Sequence, residues 1–453
     1  MINHNEIRVL QDALATLADG FSDLPDFEYD FDWTTIAAVL EQAAERMQDN
    51  YPYEHPLYAG QMLKPPHPVA RMAYAMSMWI NPNNHALDGG RASSAMELEC
   101  IAALGDMFGL DQPLGHLCGG GTMANLEALW VSGRLRPGKT IVASSQSHYT
   151  HSRISEVLGL NFSAVGVTPD GRMDLAALEE ELDTGNVGTV VATMGTTGLG
   201  AVDPLSGILE LQKKYEFRVH ADAAYGGYFH IASELGRDAR KAFDRIAEVD
   251  SIVIDPHKHG LQPYGCGCVL FRDPKVGVLY KHDSPYTYFS SAELHLGEIT
   301  LECSRAGASA VALWATQKLL PMNPGGEFAK ALDKSLLAAR ALYEFLEGSD
   351  NYRVLMEPEL DIVVYAVDAE DAEAASEKAS QVFDEAAKKN LHLALVNIPS
   401  SIVSHYWPQL TLNRDTVACL RSCLLKPEHL KWIDEIGEIL DEVASPKIAP
   451  GGA

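Results

Sequence analysis

Arg218-Val219-His220-Ala221-Asp222-Ala223-Ala224-Tyr225-Gly226-Gly227 starts as a short strand candidate and ends in small residues around a carboxylate. Upstream, Pro204–Tyr215 carries helical patterning; downstream, Ser251–Ile254 returns to a strand pattern. The alternation extends both ways, with strand candidates Thr140–Ser144, Ser163–Val167, Thr189–Thr193 and Cys268–Phe271 and a helix over Leu175–Leu182. Short apolar strands alternating with helices predict an α/β unit whose sheet is largely parallel and covered on both faces. In such sheets ligands sit beyond the carboxyl ends of the strands, which is where Asp222 is expected to emerge. Read in isolation, a capping role for Asp222 explains His220–Gly227 equally well.

The flanking segments differ from this core. Residues 1–75 mix helix with a proline-rich stretch, Pro52, Pro56, Pro65, Pro66 and Pro68, which suits an arm rather than a long helix or central strand. Ile7, Leu10, Leu14 and Leu17 fall on one face of an expected first helix. Beyond the expected unit of residues 76–320, a helical run Gly326–Gly348 precedes strand candidates Tyr352–Met356, Asp361–Val367, His392–Asn397 and Gln409–Leu412. Helices Ala369–Lys389 and Pro427–Val443 complete a small α+β unit over residues 321–453.

At 453 residues, with 47% apolar and 21% charged residues, the composition is that of a soluble globular protein. The net charge of −27 argues against a nucleic-acid partner, since phosphate binding needs a basic surface. No apolar run is long enough for a bilayer, so no membrane partner is expected. The first twenty residues have no basic start followed by an apolar stretch, so a cytoplasmic location is expected. The seven cysteines match neither a disulfide framework nor paired zinc knuckles, and no metal is expected.

Four stretches carry possible chemistry. Cys118-Gly119-Gly120-Gly121-Thr122-Met123-Ala124-Asn125-Leu126 runs into a helical pattern, which would turn backbone N–H groups and the helix dipole toward an anion. Alone, such a turn is more often only a turn. His220–Gly227 supplies Asp222. Asp255-Pro256-His257-Lys258-His259-Gly260 places a lysine between two histidines just after a strand candidate, a setting suited to a covalent amine, although lysines are ordinarily solvated. Ser147-His148-Tyr149-Thr150-His151 follows Thr140–Ser144 and adds histidines at the same expected edge.

Taken in order, Gly-Gly-Thr-x-Ala-Asn-Leu, Ser-His-Tyr, Gly-Thr-Thr, His-x-Asp-Ala-Ala-Tyr-Gly-Gly and Asp-Pro-His-Lys resemble the pyridoxal-5′-phosphate (PLP) dependent amino-acid decarboxylases of the glutamate/aromatic group. The likeness runs from about Tyr53 to Leu320. Pro56–Met62, Asn81–Asn84, Lys258–Tyr264 and Leu301–Ala308 look nearest to the tyrosine decarboxylase branch. The resemblance implies PLP fold type I, an L-amino-acid substrate with an aromatic one favoured, and a homodimer in which the proline-rich arm wraps the partner.

It also implies residue roles. Lys258 carries the cofactor aldehyde as a Schiff base, and Asp222 pairs with the pyridine nitrogen. His148 stacks on one ring face and Ala224 packs on the other. Gly121, Thr122 and His257 hold the phosphate, and Thr197 lies near the ring edge. A tyrosine returns a proton to Cα: Tyr286 and Tyr288 lie on a loop-like segment, with Tyr288 preferred, while Tyr264 matches an active-site tyrosine of the tyrosine-decarboxylase branch. Gly121, Met123, His259, Cys266 and Cys268 depart from the residues common in the group, which leaves the substrate open. An aspartate or glutamate decarboxylase, an oxidative or aldol-type enzyme, an aminotransferase using Arg414 or Arg421, and a non-enzymatic scaffold are the alternatives.

Overall fold

The computed structural model describes residues 3–445 apart from 26, 86 and 282–298. Tyr286 and Tyr288 therefore lie outside the described residues. Seven strands form the large sheet: β1 (Leu114–Cys118), β2 (Thr140–Ser144), β3 (Phe162–Val165), β4 (Val187–Thr193), β5 (Arg218–Asp222), β6 (Ser251–Ile254) and β7 (Gly267–Phe271). Their spatial order is β1-β7-β6-β5-β4-β2-β3. The pairs from β6 across to β3 are parallel, whereas β7 runs antiparallel to both β6 and β1. All of β4, Val-Gly-Thr-Val-Val-Ala-Thr, is buried, as expected of a β-branched strand covered on both faces.

The sequence does not announce β1, because Gly115 and His116 interrupt its apolar pattern. Pairing with β7 in register, Leu114 to Phe271 through Cys118 to Gly267, holds it in the sheet. Two opposed antiparallel steps leave β1 parallel to β6, so its carboxyl end reaches the same edge as those of β2, β4, β5 and β6.

A second sheet, β8 (Tyr352–Val354), β9 (Ile362–Val367), β10 (Ala394–Pro399) and β11 (Thr416–Cys423), is antiparallel in the order β10-β11-β9-β8. The expected strand at Gln409–Leu412 is instead a turn whose Thr411 makes one isolated bridge to Asp371. The strand that fills this place is β11, whose polar Arg421 and Ser422 obscure it in the sequence. Helix Glu327–Glu347 packs beside this unit through Leu332, Leu336, Ala339, Leu342 and Leu346, a buried stripe at helical spacing.

Helix His4–Asp19 forms where the amphipathic pattern expects it, with Asn3 capping its start, yet none of its residues is buried. The proline-rich segment lies across the chain's own C-terminal unit. Ala59 N–H donates to His392 O at 2.9 Å, Cys423 N–H donates to Ala59 O at 2.7 Å, and Lys426 Nζ donates to Tyr58 O at 2.6 Å. Prolines leave this stretch without a ladder of its own, so its free carbonyls and amides pair with the neighbouring sheet. Among the described residues no helix is long and apolar enough to cross a membrane. All seven cysteines are free, and among the described residues no group of three metal-ligating side chains assembles.

Candidate functional site

The carboxyl edge of the large sheet opens into a cavity of about 540 Å³. Its lining includes Gly121, Thr122, His148, Thr197, Asp222, Ala224, His257 and Lys258, residues contributed by turns that follow β1, β2, β4, β5 and β6. Residues singled out across a long span of sequence are thus gathered around one space. Tyr264 is not in the lining; its ring stands 4.9 Å from that of His257 with its own face half exposed.

Each turn has a local reason for its shape. Gly120, at φ +146°, precedes helix Gly121–Leu135, and no side chain caps that helix. A Cβ on Gly121 would stand 2.7 Å from Asp255 Oδ2, so only glycine lets the helix start come this close to the Lys258 turn. The uncapped N–H groups and the positive end of the helix dipole could receive an anion there, with the His257 ring beside Gly120.

Lys258 Nζ lies 3.1 Å from Asp255 Oδ2, and His257 Nε2 is 3.5 Å from the same oxygen. Asp255 belongs to the Asp-Pro-His-Lys stretch but receives no role from the sequence; the contact with Lys258 gives it one. Among the described residues its buried Oδ1 has no hydrogen-bond partner, so it retains hydrogen-bonding capacity at the cavity. Burial lowers the affinity of His257 for a second proton, and also that of His148, whose Nδ1 is 2.8 Å from Thr150 Oγ1.

Asp222 ends β5 and is nearly buried. Burial works against its charge, but the bond from His151 and the nearby His151, His220 and Lys258 outweigh it and hold the carboxyl below the usual range. Asp222 Oδ2 is 2.8 Å from His151 Nε2, and its Oδ1 accepts the Ala224 N–H at 3.2 Å. His151 is visible in the Ser-His-Tyr-Thr-His stretch, but only its position on the first turn of helix Thr150–Leu158 brings it to Asp222.

Two residues of the small unit, Arg421 and Asp361, reach this edge. Arg421 of β11 donates through Nη1 to Thr197 O at 2.8 Å and through Nη2 to Gln61 Oε1 at 2.9 Å. His259 Nε2 is 2.8 Å from Asp361 Oδ2, Tyr225 Oη donates to Asp361 Oδ1 at 2.5 Å, and His259 Nδ1 faces Tyr225 O at 3.0 Å. The unusual His259 after the lysine is therefore a buried link to the small unit.

A primary amine, an ionised carboxylate across from it and an uncapped glycine-rich helix start suit the aldehyde, ring nitrogen and phosphate of PLP. The donor set fits that group and offers no metal cage. Comparison with known proteins points the same way. The conserved domain of the pyridoxal-dependent decarboxylases matches residues 127–368. The chain is 28% identical over 410 residues to L-tyrosine decarboxylase of Enterococcus faecium, covering 68% of this chain and 67% of that protein. It is 30% identical over 310 residues to a "probable L-tyrosine/L-aspartate decarboxylase" of Methanothermobacter thermautotrophicus, covering 68% and 82%. Its fold is similar to that of Oryza sativa TDC solved with PLP and tryptamine, with a TM-score of 0.77 at 18% identity over 98% of this chain and 99% of that one.

Proposed function

This chain belongs to the pyridoxal-dependent decarboxylase family and is a PLP-dependent amino-acid decarboxylase; within that family, we propose that it converts an aromatic L-amino acid, L-tyrosine foremost, to its amine and CO2. The observation that carries this reading is the meeting of Lys258, Asp222 and the open helix start around one cavity, with the Tyr264 ring 4.9 Å from that of the lining residue His257.

Bound PLP supplies a pyridine ring that takes up the electron pair left at Cα when CO2 departs. The protein's part is to hold and orient. Lys258 would retain the aldehyde end, and Asp222 would hold the proton on the ring nitrogen. Gly121, Thr122 and His257 would receive the phosphate. His148 and Ala224 would flank the ring, with Thr197 at its edge. Arg421, whose guanidinium donates to the carbonyl of the lining residue Thr197, is the cation that would receive the substrate carboxylate. The Cα–carboxyl bond breaks, CO2 leaves, and a proton is returned to Cα. Tyr288 returns that proton.

Burial pushes the Tyr264 phenol up to about 12, with Tyr58 and Tyr53 near enough to add to the shift. Tyr264 therefore keeps its proton, with its hydroxyl 3.5 Å from Met62 O and its ring beside the lining residue His257. An exposed ring beside the lining residue His257 supports an aromatic side chain over a second carboxylate. The aspartate or glutamate reading has one observation in its favour: the half-buried Lys64 and buried Lys426 of the neighbouring segments, which donate to the carbonyls of Leu425 and Tyr58.

The arm, large unit and small unit are proposed to divide near residues 75 and 320. A homodimer is proposed on the exposed ring ladder Phe27, Tyr29, Phe31 and Trp33, whose successive centroids lie 4.9, 5.1 and 5.7 Å apart. An uncovered apolar strip of this kind is what association buries. A cytoplasmic location is proposed from the free cysteines.

The test supplies PLP-loaded protein with L-tyrosine, L-aspartate and L-glutamate separately and measures CO2 and amine. Tyramine as the main product supports the proposal. Amine from aspartate or glutamate alone would leave the chemistry standing and overturn the aromatic assignment.

A further inference from the structure

His151 is fully buried, with Nε2 2.8 Å from Asp222 Oδ2. Because an ionised carboxylate only accepts hydrogen bonds, the nitrogen facing it carries the proton and donates. Asp222 then uses two acceptor positions, one for His151 and one for the Ala224 N–H. A carboxylate has about four such positions, so room remains for one further donor from the cavity.

The other titratable groups around Asp222 do not replace this bond. His220, on the same strand, spends Nε2 on Asn125 Oδ1 at 2.8 Å and Nδ1 on Ser251 Oγ at 2.9 Å, and burial pushes it down to about 3. His148 bonds Thr150 and is also pushed down by burial. Lys258 is engaged with Asp255. Removing His151 leaves a nearly buried carboxylate with one backbone N–H, and desolvation then favours its neutral form. A protonated carboxyl presents a donor where the ring nitrogen needs an acceptor.

We propose that His151 is a positioning residue that, acting through Asp222, keeps the cofactor's ring nitrogen protonated. The proposal rests on the reading of Asp222 as the ring-nitrogen partner. The helix start at Thr150 then serves the cofactor twice, since His148 flanks the ring and, three residues later, His151 fixes the group at its far end.

The test uses the full chain loaded with PLP labelled with ¹⁵N at the ring nitrogen, observed by NMR at neutral pH. The wild-type signal is expected at the protonated-pyridine position. In His151→Leu it moves toward the neutral-pyridine position, and cofactor retention falls by about tenfold, the scale of losing a supporting hydrogen bond. His151→Gln, which keeps a donor at similar reach, stays at the wild-type position. A folded His151→Leu protein with an unmoved signal would overturn the proposal. Should the leucine variant not fold, His151→Gln decides: the protonated position supports the proposal and the neutral position contradicts it. Asp222→Asn separates the two layers. If that variant leaves the signal unmoved, the Asp222 reading fails and the proposal with it. If it moves the signal while His151→Leu does not, only the role of His151 fails.

Discussion

Lys258 Nζ lies 3.1 Å from Oδ2 of the buried Asp255, three residues earlier on the same turn. Both residues line the cavity, and the carboxylate stands against the glycine-rich helix start as well, since its Oδ2 is the atom a Gly121 Cβ would meet. One carboxylate thus stands between the lysine and the glycine-rich helix start. Asp255→Ala is expected to fold, bind cofactor and lose amine formation by about a hundredfold, the scale of misplacing a reacting group by an ångström. Steady-state kinetics on the reconstituted variant checks this, and an unchanged rate would leave Asp255 without the positioning role.

Gly121→Ala tests the same spacing from the other side. The added Cβ meets Asp255 Oδ2 at 2.7 Å, and the turn must open to relieve it. PLP affinity is expected to fall by about tenfold, equal to roughly 1.4 kcal/mol, read by titrating cofactor absorbance. Wild-type affinity would mean that the helix start does not hold the phosphate.

The tyrosines are expected to separate by kinetic effect. Tyr288→Phe removes the proposed proton donor and lowers kcat by about a hundredfold or more. Tyr264→Phe keeps the ring against His257 and loses only a hydroxyl, so KM for tyrosine rises roughly fivefold, about one hydrogen bond. The reverse pattern would exchange the two roles.

Much of this site is legible in the sequence because its motifs announce themselves in short strings. Each expected strand of the large sheet forms within a few residues of its place, since contiguous apolar strands flanked by turns carry their own signal. The missing strand, β1, depends on its partner: Gly115 and His116 make sense only when paired with Leu270 and Val269. The same holds for β11, where Arg421 and Ser422 serve contacts to Thr197 and Tyr365 rather than a core pattern. His151 and Asp255 stand in recognisable motifs without roles, because partner distance is a property of the folded turn. Asp361, about one hundred residues beyond His259, has no local signal at all.

That His259–Asp361–Tyr225 link gives a stability prediction. Burial opposes the Asp361 charge, but His259 and the Tyr225 hydroxyl outweigh it and hold the carboxyl below its ordinary 3.8. A depressed folded value means that the stabilisation is fully present above the ordinary carboxylate pKa and is lost as pH falls through the lower folded one. Asp361→Asn removes a buried carboxylate that faces His259 and accepts from Tyr225 and is expected to cost about 1–3 kcal/mol at neutral pH. Denaturant unfolding across an acid series checks both: the gap between wild type and variant should narrow on acidification, and a constant gap would refute the charge assignment.

The central claim is tested most directly by the visible absorption of the purified protein with PLP, compared with Lys258→Ala, while CO2 release from L-tyrosine is followed in the same samples. A lysine-linked cofactor band is expected in the wild type and absent in Lys258→Ala, with CO2 released by the first and not the second. An identical spectrum in both proteins, or CO2 release undiminished in the variant, would contradict it.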